Sequence, residues 1–390
     1  MSDNQTYDVA VIGAGVFGSW TAYCLQKSGA KVALLDAYGP ANGRASSGGE
    51  SRIIRMGYGA DAIYTRWSFH ALPLWQQLFA QAGQPHLFQR TGVLWISQSE
   101  DPYALASLAS MRTVGAKFEE IKPDDLRRRY PQIAFEDAEW GIFEPDSGVL
   151  LARRAVQVVA EQARKIGVDY LCEEIITPAG NGRLASAKAL SGRTISANTF
   201  VFACGPWLPK VFPRVLGDRI FPSRQEVFFF GVPAGNAQFS APAMPTWINL
   251  KDEFYGMPDI ESRGFKIAND NHGPKVDPDT QSRIATPEAA AAAQKYVARR
   301  FPALKNAPVV ETRVCQYENT SKGDFLIDKH PDFDNVWLVG GGSGHGFKHG
   351  PSLGEYAAAL VLQNGAAEKV TIEPRFSLAT KQSIQNRAVH

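Results

Sequence analysis

The chain has 390 residues, 44% of them hydrophobic and 21% charged, a balance that fits a folded globular protein. It excludes collagen-like, disordered and disulfide-scaffold classes. Forty-one Lys and Arg against thirty-nine Asp and Glu leave a net charge of +2, so neither nucleic acid nor an anionic membrane is expected as a partner. The four cysteines form no CxxC pair, so a cysteine-based zinc site is not expected. Residues 1–6 are short and polar rather than a charged-then-apolar leader, and no apolar run reaches the roughly 18 residues of a membrane span. The expectation is a reduced, soluble, cytoplasmic protein.

In chain order, residues 8–12 (DVAVI) read as a buried strand ending on Gly13-Ala14-Gly15-Val16-Phe17-Gly18. A helix is predicted over 17–27, closed by Ser28-Gly29, and a second strand over 31–35 ends at Asp36. Strand, glycine turn, helix, strand and acid make up a dinucleotide fingerprint. Gly13 permits the tight turn, Gly15 lets backbone approach a pyrophosphate, and Gly18 lets helix and sheet pack closely. The helix N-terminus attracts phosphate, and Asp36 can accept from a ribose hydroxyl. Gly13, Gly15, Val16, Phe17, Gly18 and Asp36 are the first cofactor-binding candidates.

The middle of the chain changes character. Residues 92–97, 199–203, 226–232 and 265–268 read as strands, and 151–166 as an amphipathic helix. Gly205 lies in the turn after the second of these strands and joins the cofactor-binding candidates. The loop-rich stretch around 226–268 suits an antiparallel sheet. A further helix over 287–300 has Thr286 as cap and Pro287 in its first turn. Near the end, a strand over 335–339 runs into Gly340-Gly341-Gly342-Ser343-Gly344-His345-Gly346. A helix follows from near Ser352, with Ser352-Leu353-Gly354-Glu355 read as a capping box. This second glycine-rich unit favours FAD over NAD, because a helix N-terminus suits the negative charge of a reduced flavin ring.

The expected fold is α/β: a Rossmann-like FAD-binding domain assembled from discontinuous segments, plus a substrate domain with a largely antiparallel sheet and flanking helices. The division is 1–85, 145–218 and 312–380 for FAD, with 86–144 and 219–311 for substrate.

The matching pieces span nearly the whole chain: the 9–36 fingerprint, Ser51-Arg52-Ile53-Ile54-Arg55, Phe254-Tyr255-Gly256 and Gly264-Phe265-Lys266. Cys315-Gln316-Tyr317, residues 324–328 (DFLID) and residues 343–348 (SGHGFK) complete them. In these motifs the chain resembles the D-amino acid oxidase superfamily of flavoproteins. The resemblance is strongest to its branch of monomeric sarcosine oxidases, N-methyltryptophan oxidases and fructosyl amino acid oxidases.

That resemblance implies an FAD-dependent oxidase acting on the CH–NH group of a secondary amine or N-substituted amino acid. The products are an imine, then aldehyde and amine, with H2O2 from molecular oxygen. It implies a thioether from Cys315 to the flavin, the alternative being an ordinary buried cysteine. Gly48-Gly49 stands where relatives carry a histidine, a departure at the attachment site. Arg55 and Lys348 match the pair that holds the substrate carboxylate; two surface cations are the alternative. Lys266 matches the lysine that activates oxygen; a solvated strand lysine is the alternative.

Ser51, Arg52, Gly342, Gly344, His345 and Gly346 are implied at the flavin, with Lys348 shared between flavin and substrate. Tyr255, Tyr317 and His345 are expected to line the pocket, and Trp247 to narrow it. Asp270 stands where sarcosine oxidase has histidine; it either contacts the substrate amine or faces solvent. A monomer is expected. The competing readings are a dehydrogenase of the same fold with another electron acceptor, a non-catalytic flavoprotein, and an NAD-dependent dehydrogenase.

Overall fold

The computed structural model describes residues 6–363 and 370–385. The polar lead at 1–5 and residues 364–369 of the last predicted FAD segment lie outside the described residues.

A seven-stranded sheet forms the first layer. Its order runs Leu326–Lys329, Val336–Gly340, Thr194–Phe202, Thr6–Ile12, Val32–Asp36, Asp169–Cys172, with Ser186–Lys188 paired to Thr194–Phe202. The four central pairings are parallel, and both extra strands join antiparallel. The predicted first strand, helix and second strand appear as Thr6–Ile12, Val16–Lys27 and Val32–Asp36. Strand Val336–Gly340, some 320 residues later, lies one strand away from Thr6–Ile12, so the two glycine-rich turns open on the same end of the sheet. The helix Val16–Lys27 packs against helix Gly350–Val361.

The second layer is an eight-stranded sheet, antiparallel except where Thr246–Asn249 runs parallel to Val93–Gln98. Alternation along its strands decides what each face carries. One face packs Phe228, Phe230, Trp247, Phe265 and Ile267 under helix Pro287–Arg300. That helix begins as predicted, with Thr286 Oγ1 accepting from the amide of Ala289 at 3.3 Å. The other face carries Tyr255, Lys266, Ala268, Cys315 and Tyr317, as the register Tyr255↔Ala268↔Val227↔Arg313 requires.

Two local expectations fail. Trp247 lines no pocket: it is fully buried and stacked on Phe265 and Tyr296. The period of two puts it opposite the face of Tyr255. Ser352 caps nothing; a 3-10 turn, Phe347–His349, leads directly into the helix at Gly350. Its hydroxyl instead donates across to the carbonyl of Trp67 at 2.8 Å.

Candidate active site

A cavity of about 390 Å³ runs along the ends of the parallel strands. At one end lie Glu173, Ile176 and Leu190; the glycine turn and Asp36 follow, then Arg52, Tyr317, Glu318, Gly342, Gly344 and Gly346. Gly205 also lines it. The turn is shaped as its sequence demands. Gly13 has φ +106°, and a Cβ there would sit 2.3 Å from the carbonyl oxygen of Ala203. A Cβ on Gly15 would meet only Ser47 Oγ at 3.5 Å. Protein packing therefore does not require glycine at 15, which leaves the backbone bare on the cavity side. Val16 and Phe17 line the same wall, and the amide of Val16 donates to Ser47 Oγ at 3.1 Å. Gly18 lies behind it, packed on the carbonyl of Gly13.

Asp36 accepts from the amides of Ala14 (2.8 Å) and Tyr38 (2.9 Å). Burial raises its pKa, against these hydrogen bonds, which lower it. Ser46 Oγ and Glu318 Oε2 on the cavity wall are buried without a protein partner among the described residues. Burial pushes the Glu318 carboxyl up to about 7, while the amides of Gly341 and Gly342 hold it down. A long groove with open backbone at a helix N-terminus and unpaired polar atoms along it fits FAD. Glu318, Ser46 and Ser47 were not anticipated from sequence: none stands in a motif, and each gains its place from chain folded back from afar.

Beyond this groove, the site face of the second sheet meets residues 51–58. Cys315 is buried, and Arg52 Nη2 donates to its Sγ at 3.2 Å. Arg52 also donates to the carbonyls of Ser46 and Ser51, both at 2.8 Å. Lys266 is buried, with Nζ donating to the carbonyl (2.9 Å) and hydroxyl (3.0 Å) of Ser51. Burial and the nearby Arg52 charge hold its pKa well below the usual lysine range.

Asp270 follows the strand Phe265–Asn269, two residues past Ala268 and in phase with Lys266. It is half-buried rather than solvated, and Tyr317 donates to its Oδ1 at 3.3 Å. Burial raises the carboxyl to about 7; Arg55, the Tyr317 hydroxyl and Lys348 pull the other way. Tyr255, beside Tyr317, is pushed up to about 12, chiefly by burial. Arg55, Lys348 and Tyr317, which the sequence scatters over 294 positions, therefore all act on the Asp270 carboxyl.

Arg55 is clamped. Its guanidinium lies 4.3 Å from the Tyr58 ring centre and 4.7 Å from that of Trp95, and it donates to the carbonyl of Gly57. Glu144 holds this clamp. Its buried carboxylate accepts from the amides of Met56 (2.7 Å) and Gly57 (3.1 Å), from Trp95 Nε1 (2.8 Å) and from Ser147 Oγ (2.5 Å). Sequence reasoning missed Glu144, Tyr58 and Trp95. His345 turns away from the groove: its Nε2 meets the carbonyl of Gly323 at 2.8 Å, and its ring stacks on Phe325. Among the described residues no cluster of His, Cys, Asp and Glu could hold a metal ion.

A groove for a dinucleotide, beside a cluster of two buried basic side chains, a carboxyl and two phenols, defines a flavin-dependent oxidoreductase. The family of FAD dependent oxidoreductases (DAO) matches residues 8–360, and the chain belongs to it. It is 29% identical to monomeric sarcosine oxidase of a Bacillus species, covering 98% of this chain and 99% of that one. It is 30% identical to human peroxisomal sarcosine oxidase, covering 93% and 94%. It is also 30% identical to N-methyl-L-tryptophan oxidase of Salmonella arizonae, covering 92% and 95%. L-proline dehydrogenase from P. horikoshii shares the fold, with a TM-score of 0.80 at 20% identity over 93% of this chain and 95% of that one.

Proposed function

We propose that the chain oxidises a secondary amine or other N-substituted amino acid, held by its carboxylate, with FAD as cofactor and molecular oxygen as acceptor. H2O2 and an imine that water hydrolyses are the products. The observation that carries this reading is the cluster in which Arg55, Lys348 and Tyr317 act on the Asp270 carboxyl.

When bound, FAD accepts the two electrons released from the carbon next to nitrogen. The protein does the rest. Arg55 is preset by Trp95 and Tyr58 to fork a carboxylate, and Lys348 adds a second charge. Asp270, with a carboxyl near 7, takes the proton of the substrate ammonium and so frees the nitrogen lone pair. Tyr255 and Tyr317 wall the amine side. Gly13, Gly15, Val16, Phe17 and Asp36 would hold the adenosine and pyrophosphate end, with Gly18 behind them packing helix against strand; Ser51, Arg52, Gly205, Gly342, Gly344 and Gly346 would surround the ring end. Cys315 would carry the flavin as a thioether, its sulfur held in place by Arg52 Nη2 at 3.2 Å. Lys266 lowers the barrier to oxygen reduction.

The two functional parts are 1–85, 145–218 and 312–380 for FAD, and 86–144 and 219–311 for substrate. The protein works as a cytoplasmic monomer. No helix among the described residues is long and apolar enough to cross a membrane.

One observation favours a second reading, a dehydrogenase with another acceptor: burial and Arg52 both disfavour the charge on Lys266. The test compares an N-methyl amino acid with the matching N-methyl amine lacking the carboxylate. The reading expects kcat/KM to fall at least a hundredfold without the carboxylate; equal values refute it.

A further inference from the structure

Lys348 is assigned a charge that its surroundings resist. Its side chain is buried, and burial and Arg55 both lower its pKa, while Asp270 and Glu144 raise it. Among the described residues, its Nζ has two hydrogen-bond partners: the hydroxyl of Tyr58 at 2.7 Å and the carbonyl of His345 at 2.8 Å. An ammonium has three N–H groups, so one remains for a ligand.

The Tyr58 hydroxyl is itself held. It lies 2.8 Å from His349 Nε2 and 3.4 Å from His345 Nδ1. Tyr58 and His349 are fully buried. His345 is the more distant of the two imidazoles: its Nε2 meets the carbonyl of Gly323 at 2.8 Å, and its Nδ1 stands 3.4 Å from the phenol against 2.8 Å for His349 Nε2. His349 Nδ1 has no partner among the described residues, so the imidazole makes its hydrogen bond through Nε2 to Tyr58. The cage around it is aromatic: Tyr64, Trp67 and Phe325 rings lie 5.5, 6.5 and 5.5 Å from its own. Beyond Tyr64, Asp324 pairs with Arg375, which leaves little net charge on that side. A buried polar group in an apolar cage is costly unless it is hydrogen-bonded, so the bond to Tyr58 is what keeps His349 there. Here the partner is one hydroxyl, one step from Lys348.

We propose that Tyr58 and His349 are a positioning pair for Lys348: the phenol oxygen accepts from the ammonium, and His349 fixes the phenol, so that Lys348 stays charged and aimed at the substrate carboxylate. The inference rests on the proposed carboxylate role of Lys348 and adds what sustains it. A hydrogen bond that favours the charged form raises the lysine pKa, so losing it moves deprotonation to lower pH.

The test uses the purified flavoprotein and acetate, a minimal carboxylate, with binding followed by perturbation of the flavin absorbance between pH 6 and 10. In the native protein, affinity falls on the alkaline side as Lys348 deprotonates. Tyr58→Phe moves that fall about one pH unit lower and weakens binding about tenfold at pH 8, the size expected for one hydrogen bond to a charged group. His349→Leu moves it the same way, and His349→Gln, whose amide can donate or accept, restores it. A uniform loss of affinity with no displaced pH profile, or a loss of thermal stability alone, overturns the inference. Lys348→Met separates the two levels. If it leaves acetate binding unchanged, the carboxylate role of Lys348 falls, and this inference with it. If it abolishes the alkaline fall while Tyr58→Phe and His349→Leu leave theirs in place, the positioning role alone is wrong.

Discussion

Asp270→Asn is the substitution whose outcome is most tightly fixed by the structure. The folded protein raises this carboxyl from 3.8 to about 7, mainly by burial. The sign follows from linkage. Below pH 4 the group is protonated in folded and unfolded chains alike and contributes nothing differential. As pH rises, the unfolded chain releases its proton first, so the folded state loses stability until pH passes about 7. A shift of roughly three units corresponds to about 4 kcal/mol at pH 8, and to about 2 kcal/mol at pH 5, where the unfolded group is already ionised. Solvent reaches part of this side chain, so both figures are upper bounds. Asparagine keeps an oxygen for the Tyr317 hydroxyl at nearly the same place and cannot ionise. The variant is expected to melt at higher temperature than the native protein at pH 8, with the gain smaller at pH 5. The same variant is expected to lose the acidic limb near pH 7 from its kcat/KM profile and to react only as the free amine becomes abundant. Thermal melts at five pH values and steady-state rates over the same range supply both readouts. A pH-independent difference in melting temperature, or an unchanged acidic limb, refutes the reasoning.

Three further outcomes are expected. Lys266→Met slows reoxidation of the reduced flavin by air: a unit charge about 4 Å away at an effective dielectric near 20 is worth about 4 kcal/mol, roughly a thousandfold in rate. Stopped-flow mixing with oxygen measures it, and reduction by substrate should change little. Cys315→Ala releases the flavin on acid precipitation, whereas the native protein keeps it with the polypeptide as a fluorescent band on a denaturing gel. Glu144→Gln keeps one accepting oxygen but turns the other into an NH2 that cannot accept from the donors facing it, with each stranded buried donor costing about 1–3 kcal/mol. A lower melting temperature and a raised KM at nearly constant kcat are expected, because the Arg55 clamp loosens.

The dinucleotide half was legible because its meaning is local. A strand, three spaced glycines, a helix and an acid fall within residues 6–36, and each has a backbone reason that does not depend on the rest of the chain. The alternation in the second half was legible in the same way, as far as placing antiparallel strands. The face assignments were not. Trp247 and Tyr255 looked equally close to the site, and only the register Trp247↔Gly256 and Ile248↔Tyr255 puts them on opposite sides. The residues that support the site were the least visible. Glu144 acts on an amide 88 positions earlier, and Tyr58 on a lysine 290 positions later. Nothing in the neighbourhood of either residue signals that role. Ser352 fitted a capping pattern, but the pattern lost to a preceding 3-10 turn and to the carbonyl of Trp67 across the fold.

The central claim is that this protein oxidises an amine that carries a carboxylate. Anaerobic titration of the purified flavoprotein tests it most directly: oxygen is excluded, and flavin absorbance is followed while sarcosine, N-methyltryptophan, pipecolate, proline, fructosyl-glycine and D-amino acids are added in turn. The account predicts rapid bleaching by at least one carboxylated secondary amine, with the colour returning when air is admitted. Bound FAD that none of these compounds bleaches would contradict it.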